Sequence, residues 1–241
     1  MAWTFRAIGG QHATNNSTAL FSGGTDWYPT GWAAGDLLVM VIGNNGVASA
    51  DARQPVTPAG WTAVTGLPAG NTGRAGQFFG VYWRIAQAGD DTGPDVTMSG
   101  TGVANDSQVG RIAGWSSDVG VDGISVIGAA TENASQNAVG AITGITPAAG
   151  ELVLVIGAKS NIWNGSPTCT DFTKRMQSTN VLVGTNLFEV ASWGGGATGT
   201  KTITDSGTPG FGIGIVISFA ESAAAGLSIP IAMHHYRSYR G

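Results

Sequence analysis

The sequence is poor in charged residues, and this shortage excludes two classes of protein. Asp, Glu, Lys and Arg make up only 11% of the 241 residues, less than half the usual ~25%. The net charge is −4, so a broad basic face that would bind nucleic acid is not expected. A highly charged disordered chain is excluded as well, because 42% of the residues are hydrophobic.

The sequence also has only one cysteine, no signal-peptide pattern in its first residues and no long apolar run. Its single cysteine, Cys169, cannot form an internal disulfide, whereas small secreted domains commonly depend on several. Residues Met1–Arg6 do not show a basic start followed by an apolar run. The longest apolar runs, Leu37–Ile42 and Leu152–Ile156, are far shorter than the ~18 residues of a membrane helix. The sequence therefore predicts folding in a reducing cytoplasm, without a signal peptide or a membrane span.

Glycine and short apolar stretches are what the chain does have. Glycine accounts for 39 of the 241 residues, about twice the usual ~7%, and its spacing shows no three-residue collagen period. Most apolar stretches are short, rich in β-branched or aromatic residues, and bounded by Gly, Pro, Asn or Asp, which is typical of strands. No long segment keeps a helical period. The sequence predicts an all-β fold.

An internal repeat divides the chain into two similar parts. Residues Gly35–Gly43 resemble Gly150–Gly157, and three further pairs follow in the same order roughly 105 to 115 residues apart. The further pairs are Gly60–Thr62 with Asp171–Thr173, Val81–Ala86 with Leu187–Ser192, and Val96–Thr101 with Ile203–Thr208. Each part could fold as its own sandwich, or both could supply strands to two shared sheets, as in a jelly roll. We favour one jelly-roll-like β-sandwich over residues 1–226, with pseudo-repeats at about 1–118 and 119–226.

The last residues, 227–241, differ from the rest and predict a C-terminal docking arm. An apolar stretch precedes a local concentration of basic and aromatic side chains in an otherwise acidic chain. The residues expected to bind a partner are Ile231, Met233, His234, His235, Tyr236, Arg237, Tyr239 and Arg240. Such a segment can order against an acidic groove on a neighbouring subunit, through charge-assisted and stacking contacts. The alternative is a frayed terminus.

An aromatic cluster lies in a loop-like segment near the N-terminus. Trp27, Tyr28 and Trp32 fall within eight residues of one another. If they are exposed, their rings could stack on a cell-surface glycan or fill a receptor's pocket. The alternative is that they close one end of the sandwich as part of its core.

The sequence shows no readable catalytic centre, cofactor motif or metal motif. No Gly-x-Ser-x-Gly elbow is present, and Cys169 has no nearby histidine. Glu189 lies within a predicted strand and could face the cleft of a glycosidase. Asp90, Asp91 and Asp95 could form a Ca²⁺ loop, although a solvated hairpin is the simpler interpretation. We therefore predict no enzyme activity, no cofactor and no metal.

The order of four motifs resembles that of structural proteins of tailed bacteriophages. The motifs are Gly35–Val39, Pro58–Thr62, Val81–Ala86 and Ala88–Asp90. The likeness covers about residues 35 to 100. It implies a virion component, either a capsid-decoration protein or a tail or fibre subunit, assembled in the host cytoplasm. It also implies binding to other virion proteins and self-association into a trimer or higher oligomer. A carbohydrate- or receptor-binding module is the alternative.

Overall fold

The prediction of an all-β fold is confirmed. The computed structural model describes residues 3–15, 19–21, 26–46, 54–90, 94, 96–99, 106–163 and 165–223, and these contain strands and no helix. The strands are β1 (Trp3–Ile8), β2 (His12–Asn15), β3 (Ala19–Phe21), β4 (Leu37–Asn45), β5 (Gln54–Pro55), β6 (Thr62–Ala63), β7 (Ala69–Asn71), β8 (Arg74–Ile85), β9 (Val96–Ser99), β10 (Ser107–Ser117), β11 (Val121–Ile127), β12 (Thr131–Gln136), β13 (Ala138–Ile142), β14 (Leu152–Ser160), β15 (Thr168–Cys169), β16 (Thr173–Asn180), β17 (Val183–Val190), β18 (Lys201–Thr204) and β19 (Gly210–Glu221).

The strands form a large and a small sheet from each half of the chain. The first large sheet has the order β1-β10-β4-β8-β6, with β2 beside β10 and β7 beside β8. The second large sheet has the order β11-β19-β14-β17-β16, with β12 beside β19. The small sheets are β3-β9-β5 and β13-β18-β15. The second half therefore repeats the strand order of the first, and the four similar sequence pairs lie on or next to strands in equivalent places.

This topology corrects the arrangement that we favoured from the sequence. No sheet among the described residues combines strands from both halves, since β1–β10 and β11–β19 pair separately. Each half folds its own two sheets, as in the other arrangement that the repeat allowed. The reason is local. Sequential strands pair readily with their neighbours in the chain, and the central strands β4 and β14 each find their partners within their own half.

The halves are nevertheless joined by a common core between the two large sheets. Alternate residues of a strand point to opposite faces. Leu37, Val39 and Val41 of β4 therefore pack in one cluster with Leu152 and Leu154 of β14. All five are fully buried, and each such side chain contributes about 1.5–3 kcal/mol on burial. We call this cluster the central core.

The other faces of β4 and β14 pack against the small sheets. Leu38 and Met40 of β4 lie in a cluster with Val96 of β9, and Val153 of β14 lies in a cluster with Ile203 of β18. We call these the two outer cores. The molecule is thus a stack of four layers: small sheet, large sheet, large sheet and small sheet. Because β4 and β14 are covered on both sides, their sequences are continuous apolar runs rather than alternating ones.

Both central strands begin at the same kind of turn. Gly35 and Gly150 precede them with φ values of 95° and 90°, a conformation that favours glycine. The Gly35 amide donates to the carbonyl of Ala86 at 2.9 Å, and the Gly150 amide donates to that of Trp193 at 2.8 Å. An acidic residue follows each glycine, so this turn fixes Asp36 and Glu151 at equivalent places.

Candidate functional site

The aromatic segment near the N-terminus packs in the core, which decides between the two interpretations that the sequence left open. Trp27 is 1% exposed and Tyr28 is 6% exposed. Both pack in the first outer core, and the half-buried Trp32 packs against it, with its ring centroid 5.6 Å from that of Tyr28. Rings that are covered in this way cannot stack on a sugar. Trp27 and Tyr28 therefore help to close the first half of the molecule, as the alternative interpretation had it.

His12 fastens the same segment from β2. Its ring stacks on Trp27 with 3.4 Å between centroids and an angle of 8°, and its Nε2 lies 3.3 Å from Oδ1 of Asp26. Burial lowers the pKa of His12, and this effect outweighs the raising effect of Asp26. A lowered pKa favours the neutral imidazole in the folded state, so this contribution to stability is present above the ordinary pKa and declines as the pH falls below it.

Glu189, the glycosidase candidate, lies in a buried network between the two large sheets. It is 2% exposed. Its Oε2 accepts a hydrogen bond from the indole N–H of Trp115 on β10, and its Oε1 accepts from Nε of Arg175 on β16 at 2.6 Å. The Arg175 guanidinium also lies 4.6 Å from the centroid of the Phe5 ring. With both oxygens occupied, Glu189 ties the halves together and does not face an open cleft.

A second buried charge was not predicted from the sequence. Lys159 and Asp205 have fully buried side chains, and Nζ lies 2.7 Å from Oδ2. The ammonium group also donates to the carbonyl of Thr208 at 3.2 Å and lies 4.6 Å from the centroid of the Trp163 ring. From the sequence, a lysine at the end of an apolar strand would be interpreted as a surface residue, because nothing in the sequence indicates that Asp205, 46 positions later, is its partner.

The remaining candidates for metal binding and for nucleophilic chemistry, Asp90 and Cys169, are respectively ion-paired and buried. Asp90 pairs with Arg84 at 2.9 Å and accepts from the Gln87 amide at 2.8 Å, whereas Asp91 and Asp95 lie outside the described residues. No group of three or more His, Cys, Asp or Glu in the described part of the chain could hold a metal ion. Cys169 is buried, and burial raises the pKa of its thiol to about 11, so the thiolate that nucleophilic chemistry requires is disfavoured.

The predicted docking arm, residues 227–241, lies outside the described residues, and its binding residues stay a prediction. Ala223, two residues after β19, is the last of the described residues. Strand β19 is an inner strand between β11 and β14, so the chain leaves the second large sheet from within and not from its edge.

A small acidic pocket lies at this exit. Its volume is about 210 Å³, and its lining residues are Ala148, Ala149, Gly150, Glu151, Ala220 and Glu221. Glu221 accepts a hydrogen bond from the Ser117 hydroxyl at 2.7 Å. Glu151 is only 7% exposed, and its Oε2 is buried without a hydrogen-bond partner in the described part of the protein. We call this the Glu151 pocket. The sequence placed Glu151 at a strand start but gave no reason to place it beside Glu221.

Comparison with known proteins adds no relative. No family model matches the chain, and neither a curated protein nor a solved structure matches it significantly. A search of the described residues for a helix long and apolar enough to cross a membrane finds none.

Proposed function

We propose that this protein is a non-enzymatic structural component of a phage particle, bound to neighbouring virion proteins on the capsid surface or in the tail or fibre apparatus. In this role it assembles in the host cytoplasm as a trimer or higher oligomer. The order of motifs over residues 35–100 is the observation that carries the phage assignment. The four-layer sandwich is compatible with such a role, in which a subunit supplies a rigid body and a means of attachment.

The surface of the described residues supports attachment through the arm. Its exposed large hydrophobic side chains are Val56 and Val181, at 44% and 67%. Stable interfaces have an apolar centre with a polar rim, and two separated valines do not provide one. The apolar and aromatic side chains that can anchor a partner are instead concentrated in residues 227–241. The polar, weakly charged remainder suits a subunit surrounded by neighbours.

The residues engaged in the interior favour a structural role over catalysis. Glu189 is held by Trp115 and Arg175, and Asp205 pairs with Lys159. These are carboxylates whose hydrogen bonds stabilise the fold. The alternative function of a carbohydrate-binding module loses the exposed aromatic pair on which it depended, because Trp27 and Tyr28 are core residues.

The experiment is co-purification with assembled particles. We expect the full chain to sediment with capsids or tails, and electron microscopy of those particles to show ordered copies at one kind of site. Deletion of residues 227–241 should abolish most of this association. A matched variant keeps the length of the arm but replaces its His, Tyr and Arg residues with Ser and Gly, and it should fail equally. If the chain never accompanies particles, the proposed function is wrong.

A further inference from the structure

The carboxylate that begins the central strand is neutralised in the first half of the molecule. Oδ2 of Asp36 lies 3.2 Å from Nε of Arg6, and it also accepts from the amide of Ala33 at 2.8 Å. Arg6 lies where the register of β1 shifts against β10, between Phe5 and Ala7. Such a bulge turns one side chain out of the regular alternation. Here the bulge residue is the arginine that meets the buried carboxylate.

The second half has the same bulge without the arginine. The register of β11 shifts against β19 between Ile124 and Val126, and β19 pairs with β14 as β10 pairs with β4. The residue equivalent to Arg6 is therefore Ser125, which is exposed. Glu151, the equivalent of Asp36, is left with a buried oxygen that has no partner in the described part of the protein.

A buried carboxylate oxygen without a partner is costly, so this position calls for a cation or a donor. The Glu151 pocket provides the space, and Glu221 adds a second carboxylate on its wall. Its other lining residues are alanines and a glycine, which leave room for a flat group between the acids. A guanidinium matches this shape and charge best, since its planar fork binds carboxylates through two parallel hydrogen bonds.

We propose that the Glu151 pocket receives an arginine of the C-terminal arm, Arg237 or Arg240, from a second copy of this chain. The residues after Glu221 include two arginines and no Asp or Glu, which makes the arm complementary in charge to the pocket. The last described residues lie at the pocket, because Glu221 lines it and Ala223 follows two positions later. Arg237 lies fourteen positions after Ala223, a reach of at most ~50 Å.

We assign the arginine to a second copy because the proposed function requires self-association. A return of the arm to its own pocket would cost only the entropy of closing a loop, so the experiment below is designed to separate the two donors. In a closed ring of three or more copies, each arm can enter the pocket of the next copy, and every contact is then repeated around the ring. This inference rests on the proposed function, of which it names the self-association surface.

The test places cysteines beside the charged groups and leaves those groups intact. The full chain carries Ala149→Cys on the pocket wall and Ser238→Cys between the two arginines, while the buried native Cys169 does not compete. Under mild oxidation we expect disulfide-linked chains of twice the monomer mass or more. Adding Glu151→Gln, which keeps the side-chain shape, should lower the yield about tenfold. The control pairs Ser238→Cys with Val181→Cys. Val181 lies in an exposed turn at the other end of β17, so this pair should give little product.

Each result decides the proposal. A disulfide within one chain overturns the second copy as the donor, and a yield that Glu151→Gln leaves unchanged overturns the pocket. Circular dichroism of each variant checks that the fold persists. Sedimentation gives an independent readout, in which Arg237→Gln/Arg240→Gln and Glu151→Gln lower the oligomer mass equally, and their combination lowers it no further. Cross-linked oligomers that never accompany phage particles would contradict the proposed function and leave this inference standing.

Discussion

The two halves of the molecule share a strand order but differ in their buried polar groups. Near the end of the central strand, Asn44 in the first half corresponds to Lys159 in the second. The neutral amide of Asn44 is thus replaced by a lysine whose side chain forms a fully buried ion pair with Asp205. At the turn before the strand the difference is reversed, since Asp36 pairs with Arg6, whereas no arginine of the described residues pairs with Glu151. The apolar pattern of the sheets is therefore enough to specify the layers, and the polar positions are free to diverge.

The largest loss of stability is expected when the buried Lys159–Asp205 pair of the second half is broken. Asp205→Ala leaves the Lys159 ammonium buried without its counter-ion, so we expect a loss of about 3–5 kcal/mol in the free energy of unfolding. Urea denaturation followed by tryptophan fluorescence measures it. Asn44→Ala, at the place equivalent to Lys159, should cost only about 1 kcal/mol. Lys159→Met combined with Asp205→Asn should recover much of the loss, and equal losses in all three variants would contradict this account.

The next comparison separates the central core from the outer core. Leu37 and Leu38 are neighbours on β4, are both fully buried, and point to opposite faces. Changing either to alanine should cost about 2–5 kcal/mol. Leu37→Ala loosens packing against the second half, so hydrogen exchange should rise in β14 as well as in β4. Leu38→Ala should raise exchange in the first half alone, and the same exchange pattern in both variants would show that the two cores are not distinct.

The smallest change in stability is expected when the second half is given the arginine that the first half has at its bulge. Ser125→Arg restores an arginine at the second bulge, where it can pair with Glu151 as Arg6 pairs with Asp36. We expect a gain of about 1 kcal/mol, because the arginine supplies the donor that the buried Glu151 oxygen lacks, while its own side chain stays partly exposed. Thermal unfolding measures that gain. Ser125→Gln is the uncharged control. If both variants shift the unfolding temperature equally, the added charge is not what matters.

The sequence predicted the strands better than their arrangement or the site. Runs such as Leu37–Ile42 were recognised as strands because they are short, rich in β-branched residues and bounded by turn residues. The repeat was visible because equivalent strands carry similar residues. Whether the halves share sheets could not be decided, since both arrangements have the same local pattern. The Glu151 pocket was not predictable either, because its two glutamates are 70 positions apart and meet only through the pairing of β14 with β19.

The burial of the aromatic segment was left open for a related reason. Trp27 and Tyr28 are followed by turn residues and flanked by polar ones, which is equally typical of an exposed loop and of a plug. What decides between them is the first small sheet, whose Val96 and Met98 share a cluster with both rings. Contacts of this kind join residues about 70 positions apart, and periodicity carries no information at that range.

The central core has a consequence for the origin of the chain. A polypeptide that ended near Asp118 would display Leu37, Val39 and Val41 on a naked apolar face, and it would be soluble only as a pair. Joining two such units end to end removes the translational entropy that association costs. Once fused, neither unit needs to remain a copy of the other, so equivalent positions such as Arg6 and Ser125 are free to carry different residues.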